Sequence, residues 1–336
     1  MIRAGIHAPL GPIALTCVAA ASLTACGSAE ENPPAPEPAT SPPLAERPPG
    51  RLVELGGEPE GLAADPRTGL VAVALRNPDR LALVEGSSGR VVRRVPLPES
   101  ARHLQLAAPG RVLAPAERAD LLVEVPLPAG RPLQTSPVGD FPHDAAAARD
   151  RVVVANEGDD TVTILERGRA RATLEAPKGP GGVAAAGTLA AVVGVRARRI
   201  ALYDLVAERK LAEETGGVGP THVVADEARA YVADTEGDAI LVYRLRPEFG
   251  FLDRANLAGS PYGLALDRRR GLLWVTLTAT NELVRLELNG GAPRRGATFP
   301  TIRQPNSVVV DERTGRVYVA GRDGSELQIL GREVSR

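Results

Sequence analysis

The stretch GVGPTHVVADEARAYVAD, Gly217–Asp234, decides the fold because the chain repeats its pattern. GSPYGLALDRRRGLLWVTL and RQPNSVVVDERTGRVYVAG follow the same plan downstream. Aligned on the proline or its replacement, seven copies emerge: Pro59, Ala101, Pro142, Pro180, Pro220, Pro261 and Pro305. The intervals are 42, 41, 38, 40, 41 and 44 residues. A period near 40 built of short apolar runs signals a propeller or a solenoid.

The contents of the period choose between them. The fifth copy holds four strand-like runs, HVVAD, ARAYVAD, AILVYRL and the looser FLDRANL, separated by turn clusters such as DTEGD. Hairpin signals recur between the first two runs: DPRTG (Asp65–Gly69), DRRRG (Asp267–Gly271) and DERTG (Asp311–Gly315). Their final glycine supplies the positive φ that such turns require. No sustained 3.6-residue apolar rhythm runs through the body, so helical repeats are excluded. Four strands per period is a propeller blade.

The last copy stops after its third run, ELQIL (Glu326–Leu330), while RLVEL (Arg51–Leu55) precedes the first copy without a blade of its own. An unpaired outer edge is a liability, and this spare strand would cover it. The sequence therefore predicts an all-β, seven-bladed propeller of four-stranded antiparallel blades over residues 51–336. The N-terminal strand, about residues 51–55, completes the last blade and closes the ring.

The runs VVVAN (Val152–Asn156), AYVAD (Ala230–Asp234), LWVTL (Leu273–Leu277) and VYVAG (Val317–Gly321) are similar to the YVTN motif. With the proline lead and the D-x-x-x-G hairpin they resemble the YVTN-repeat, YncE-like seven-bladed propellers, over residues 51–330. This resemblance implies the fold strongly and the function weakly, because the repeat is a structural consensus.

Upstream of the repeats the composition changes. Residues 1–25 carry Arg3, an apolar run from Pro9 to Leu23, and small residues leading to Cys26. That run is short for a membrane span and has the flanks of a secretion signal. LTAC, Leu23–Cys26, resembles the lipobox of bacterial lipoproteins, which implies lipidation at Cys26. Residues 26–50 would follow as the lipidated cysteine and a proline-rich disordered tether, able to reach roughly 70 Å when extended. Cys17 would leave with the signal, so the mature chain keeps one cysteine and no disulfide. The expected location is the outer face of the bacterial cytoplasmic membrane, with the protein held there by its lipid.

Charge narrows the partners. Removing Arg3 with the signal leaves 39 basic residues against 41 acidic ones, and aromatics are 3% of the chain. Nucleic-acid binding requires a basic excess or stacking platforms, and neither is present. No G-x-S-x-G, H-E-x-x-H or phosphate-cradling loop occurs. The acidic turns NEGDD and DTEGD lack the alternating carboxylates of a calcium loop and suit strand connections.

The candidate site comes from two adjacent repeat positions. The residue after the proline runs Glu60, Arg102, His143, Gly181, Thr221, Tyr262, Asn306; the next runs Gly61, His103, Asp144, Gly182, His222, Gly263, Ser307. Every histidine of the mature chain falls in these rings, which are expected at the channel mouth. Glu60, Arg102, His143, Tyr262 and Asn306 join His103, Asp144 and His222 as candidate ligand-binding residues. His103, Asp144 and His222 also offer two imidazoles and a carboxylate, a donor set for a divalent transition metal, with slot glycines leaving room for them to meet. No other cofactor is expected.

Three readings follow. The favoured one is a monomeric, non-enzymatic binding or scaffold propeller, engaging a small ligand or peptide at the channel mouth. A second is a metal-dependent hydrolase or lyase of the lactonase or streptogramin-lyase type, from which this chain departs in its YVTN-type repeats. A third makes one disc face the interface with an envelope protein.

Overall fold

A computed structural model of the chain describes residues 33–335, together with Met1, Ile2 and Gly5. Apart from those three residues the signal segment, with the lipobox and Cys26, lies outside the described residues. Residues from Pro33 onward form one unit.

Seven four-stranded antiparallel sheets follow one another along the chain. We number them blades 1–7 and letter the strands a to d from the axis outward. Inner strands a span Glu58–Asp65, Gln105–Ala108, Pro142–Ala148, Pro180–Ala186, Pro220–Ala225, Pro261–Asp267 and Pro305–Asp311. Five of them start at the aligned proline, which fits a residue that cannot donate to a ladder. Blade 2 has Ala101 in that place, and its inner strand begins four residues later, at Gln105. Arg102 and His103 therefore sit in the connection before the strand rather than opening it.

Blade 7 is closed as expected. Arg51–Glu54 pairs antiparallel with Glu326–Leu330, in the register Arg51↔Ile329 to Glu54↔Glu326. The ring consequently has no open blade.

The core is divided among the blade interfaces. Among the described residues seven apolar clusters form, and each joins one pair of neighbouring blades. Alternate side chains of the middle strands point to opposite neighbours, so both faces are buried and the runs are continuously apolar. The cluster between blades 2 and 3 has the fewest buried members: Leu113, Leu122, Ala145, Val154 and Leu165.

The D-x-x-x-G hairpins do more than turn. Asp65 accepts from the Thr68 hydroxyl at 2.6 Å, and Gly69, at φ +70°, donates to the Asp65 carbonyl at 2.9 Å. An arginine in each hairpin also reaches the next blade. Arg67 donates to the Leu127 carbonyl at 2.8 Å, Arg270 to that of Glu312 at 2.9 Å, and Arg313 to that of Pro66 at 3.1 Å.

Part of the segment expected to hang free is docked on the ring. The Ala39 N–H donates to Ser260 Oγ at 3.1 Å, and the Gln304 amide donates to the Ala39 carbonyl at 3.0 Å. Ser41 is buried; its N–H donates to Gln304 Oε1 at 2.9 Å, and its hydroxyl donates to the Thr278 carbonyl. Asn281 Nδ2 donates to the Pro42 carbonyl at 2.9 Å, and Gln328 Nε2 to that of Pro49, also at 2.9 Å. Composition argues against docking because this segment has little apolar surface. Polar side chains of blades 6 and 7 hold its backbone instead, which no hydropathy count registers.

Candidate functional site

The disc has two faces. One bears the connections that lead into the inner strands, and the other bears the a–b hairpins. Just after the starting proline the a–b ladder slips register in six of the seven blades, all but blade 2. In blade 3, Pro142 faces Asn156 and Asp144 faces Ala155, which leaves His143 unpaired. Such bulges re-aim side chains, and here they free the first candidate ring to fold over the axis.

That ring builds a polar plug across blades 1 to 3. Its hub is Glu117, in the b–c connection of blade 2 and only 3% exposed. Arg102 Nε lies 2.8 Å from Glu117 Oε1, and Arg76 Nη2 lies 3.7 Å from Oε2. Arg76 Nε also meets Glu60 Oε1 at 3.0 Å. His143 Nδ1 lies 2.8 Å from Glu157 Oε2 and 3.7 Å from Glu117 Oε1. Burial pushes the Glu117 carboxyl up, against the opposing pull of Arg102, His143 and Arg76. The hydrogen bond from His143 holds Glu157 down.

The histidines form a row. Ring centroids are 5.0 Å apart for His143 and His103, 4.9 Å for His103 and His222, and 4.3 Å for His222 and Tyr262. The row links blades 3, 2, 5 and 6. Burial lowers the pKa of His222 to about 3, with His143 adding to the effect, and burial drives His103 well down too. Both imidazoles are neutral at physiological pH. Burial also raises the Tyr262 hydroxyl to about 12.

The second ring points toward the neighbouring blade. Asp144, 4% exposed, accepts from the Val183 N–H at 3.0 Å, from its neighbour Ala145 at 2.8 Å and from Gln105 Nε2 at 3.3 Å. Burial nevertheless raises its pKa to about 6. A Cβ on Gly61 would stand 2.7 Å from the His103 carbonyl carbon, one on Gly182 2.9 Å from the Thr221 oxygen, and one on Gly263 2.8 Å from the Asn306 oxygen. These glycines therefore serve the close approach of adjacent inner strands. Gly61 and Gly263 also line the axial cavity below the plug.

Below the plug lies an axial cavity of about 330 Å³. His103, Asp144, His222 and Asn306 line its polar end. Aliphatic residues together with the polar Gln105 and Ser307 line it in between, and Arg268 and Glu312 of the hairpins line the far end. Arg268 is exposed, so the cavity opens on the hairpin face. The eight candidates thus separate into Glu60, Arg102, His143 and Tyr262 of the plug and the four that line the cavity. Sequence reasoning missed Gln105, Glu117, Glu157, Arg268 and Glu312, which lie outside the two rings. Glu157 sits within NEGDD, where only the turn was legible.

His103, Asp144 and His222 do not make a metal centre. Among the described residues no three His, Cys, Asp or Glu side chains are placed to share an ion. Both oxygens of Asp144 already accept protein donors, and that is a poor fit to metal ligation.

No protein-family model and no curated protein matches the sequence. Solved structures do match. Hydrazine synthase of Kuenenia stuttgartiensis shares 13% identity at a TM-score of 0.69, covering 83% of this chain and 97% of that one. A chain of the mitotic checkpoint complex shares 12% at 0.72, covering 87% and 96%. Virginiamycin B lyase from Staphylococcus aureus shares 13% at 0.69, covering 84% and 98%. The chain has the seven-bladed propeller fold. At these identities the likeness is one of fold alone.

Proposed function

We propose that this chain is an exported, lipid-anchored propeller of the YVTN-repeat, YncE-like kind that binds a small ligand in its axial cavity without transforming it. The observation that carries the binding reading is the cavity itself, plugged at one disc face and open at the other. Its volume falls at the small end of the roughly 300–1,000 Å³ typical of small-molecule sites. The anchor rests on the lipobox-like LTAC ending at Cys26.

The geometry favours holding over chemistry. A general acid or base needs a free, reachable proton site near the reacting atom. Asp144 is engaged by Val183, Ala145 and Gln105, and His143 by Glu157; His222, which lines the cavity with its Nδ1 unpartnered, is the proton site that the turnover measurement has to test. The likeness to a lyase therefore supports the scaffold rather than its reaction. An envelope protein bound to one disc face is the remaining partner for such a scaffold.

Two measurements test the proposal. The purified protein is screened by thermal shift against small metabolites, beside Ser307→Leu, which places a larger side chain at the half-buried cavity lining. Ligands that stabilise the wild type and lose their effect in the variant, without product formation, support it; turnover of any of them overturns it. Labelling with a fatty-acid analogue, compared with Cys26→Ser, tests the anchor: label on the Ser variant refutes it.

A further inference from the structure

We propose that the plugged face carries a second binding site, a groove over blades 6 and 7 for an extended peptide with serine before proline, and that Ala39–Pro42 is its resident occupant. The groove is separate from the axial cavity and does not depend on the cavity reading.

Connections of the plugged face build it. Ser260, Arg303 and Gln304 lie just before the inner strands of blades 6 and 7, and Thr278 and Asn281 lie between strands b and c of blade 6. Gln304 reads the backbone. Its Nε2 donates to the Ala39 carbonyl at 3.0 Å, and its Oε1 accepts from the Ser41 N–H at 2.9 Å. One side-chain amide thus bonds a carbonyl and the N–H two residues on, as a residue of a parallel strand does for its neighbour. Ser260 Oγ accepts from the Ala39 N–H at 3.1 Å, and Asn281 Nδ2 donates to the Pro42 carbonyl at 2.9 Å. Arg303 Nη2 donates to the Ser41 carbonyl at 3.2 Å. Main-chain bonds of this kind give affinity for an extended peptide, and slots for alternate side chains give selectivity.

The slot belongs to Ser41. It is buried, whereas Thr40 and Pro42 on either side are exposed. Its hydroxyl donates to the Thr278 carbonyl and accepts from the Gln304 N–H at 3.1 Å. A hydroxymethyl group meets both partners; a methyl group meets neither, and a longer side chain does not fit. Proline suits the next position because it has no N–H to leave unpaired. Six prolines among residues 33–43 also hold the segment extended before it docks, which lowers the cost of ordering it.

The contacts fall on the main chain of Ala39–Pro42 and on one hydroxyl, not on apolar surface. A separate peptide of the same shape therefore meets the same donors and acceptors. The link through residues 43–50 raises the effective concentration of the resident and keeps the groove filled.

The probe is a fluorescent synthetic peptide, APEPATSPPLA, with the sequence of residues 35–45, titrated into the full chain and read by anisotropy. Ser41→Glu places a longer, charged side chain at the slot and frees the groove; this variant should bind the peptide roughly tenfold or more tightly than the filled wild type. The peptide with alanine in place of its serine should bind the variant about fivefold more weakly, and adding Gln304→Ala should abolish binding. A second measurement leaves Ser41 in place: a protease site introduced at the exposed residues 44–47 is cut in the folded chain. Labelled peptide should then exchange into the ring, and unlabelled serine peptide, not the alanine form, should displace it. If Ser41→Glu does not fold, the cut chain decides. Equal binding of the serine and alanine peptides, or no uptake by the cut chain, overturns the proposal.

Discussion

Asp144 of blade 3 accepts the main-chain N–H of Val183 on the inner strand of blade 4, at 3.0 Å. The relationship is general along the second ring. Gly61 abuts His103 and Leu104, Gly182 abuts Thr221, and Gly263 abuts Asn306. His222, in the same slot of blade 5, packs against Tyr262 of blade 6. The position is thus the joint between consecutive inner strands, and its residue type records how closely the two approach.

Gly61→Ala should therefore be costly although it adds one methyl group. Its Cβ would meet backbone atoms at 2.7–2.8 Å, namely His103 C, Leu104 N and Arg102 O, and backbone cannot yield as a flexible side chain does. A loss of roughly 1–3 kcal/mol is expected, measured by urea denaturation. A change within about 0.5 kcal/mol, the range of ordinary surface substitutions, would refute the joint.

Acid should weaken the fold. His222 titrates near 6.5 unfolded and about 3 folded, so the unfolded chain takes up its proton first as pH falls. Stability from this residue is complete above 6.5 and drains away below it, by about 3 kcal/mol at pH 4. His103 acts in the same direction. Asp144 acts oppositely: its raised pKa, about 6 against 3.8, means stability from it rises as pH falls through that window. Burial raises Glu117 as well, in the sense of Asp144, while Glu157, held down by His143, acts with the histidines; with His222 and His103 both driven well down, the net slope from pH 6.5 to 4 is expected to be downward. His222→Gln should flatten it; an unchanged slope in unfolding free energy against pH would contradict the assignment.

The docked segment should contribute measurably. Ser41→Ala removes the hydroxyl that bonds Thr278 and accepts from Gln304 N, at an expected cost of about 1–2 kcal/mol. Gln304→Ala, which loses the bonds to Ala39 and Ser41 together, should cost more. Limited proteolysis between residues 33 and 50 should accelerate in both. Cleavage as slow as in the wild type would show that the segment is held by something else.

The blades were legible in the sequence because each must bury apolar strands at a fixed period, and proline marks the start of five inner strands. The closing strand was legible because a copy lacked its fourth run. The plug was half legible: Arg102 and His143 repeat with the period, but Glu117 and Glu157 enter from b–c connections whose composition only announces a turn. The docking of Ala39–Pro42 was not legible, since the recognition is written in Ser260, Thr278, Asn281 and Gln304, more than 200 residues away.

Closure of the ring by Arg51–Glu54 also orders events in time. Of the propeller's strands this one is made first, yet its partner Glu326–Leu330 is made last. Until Glu326–Leu330 has been made, the early strand has nothing to join and the ring stays open. A chain interrupted anywhere before Glu326 is left an open arc with unsatisfied edges, the kind of species that aggregates. Translation of Glu326–Leu330 and completion of the circle are one event.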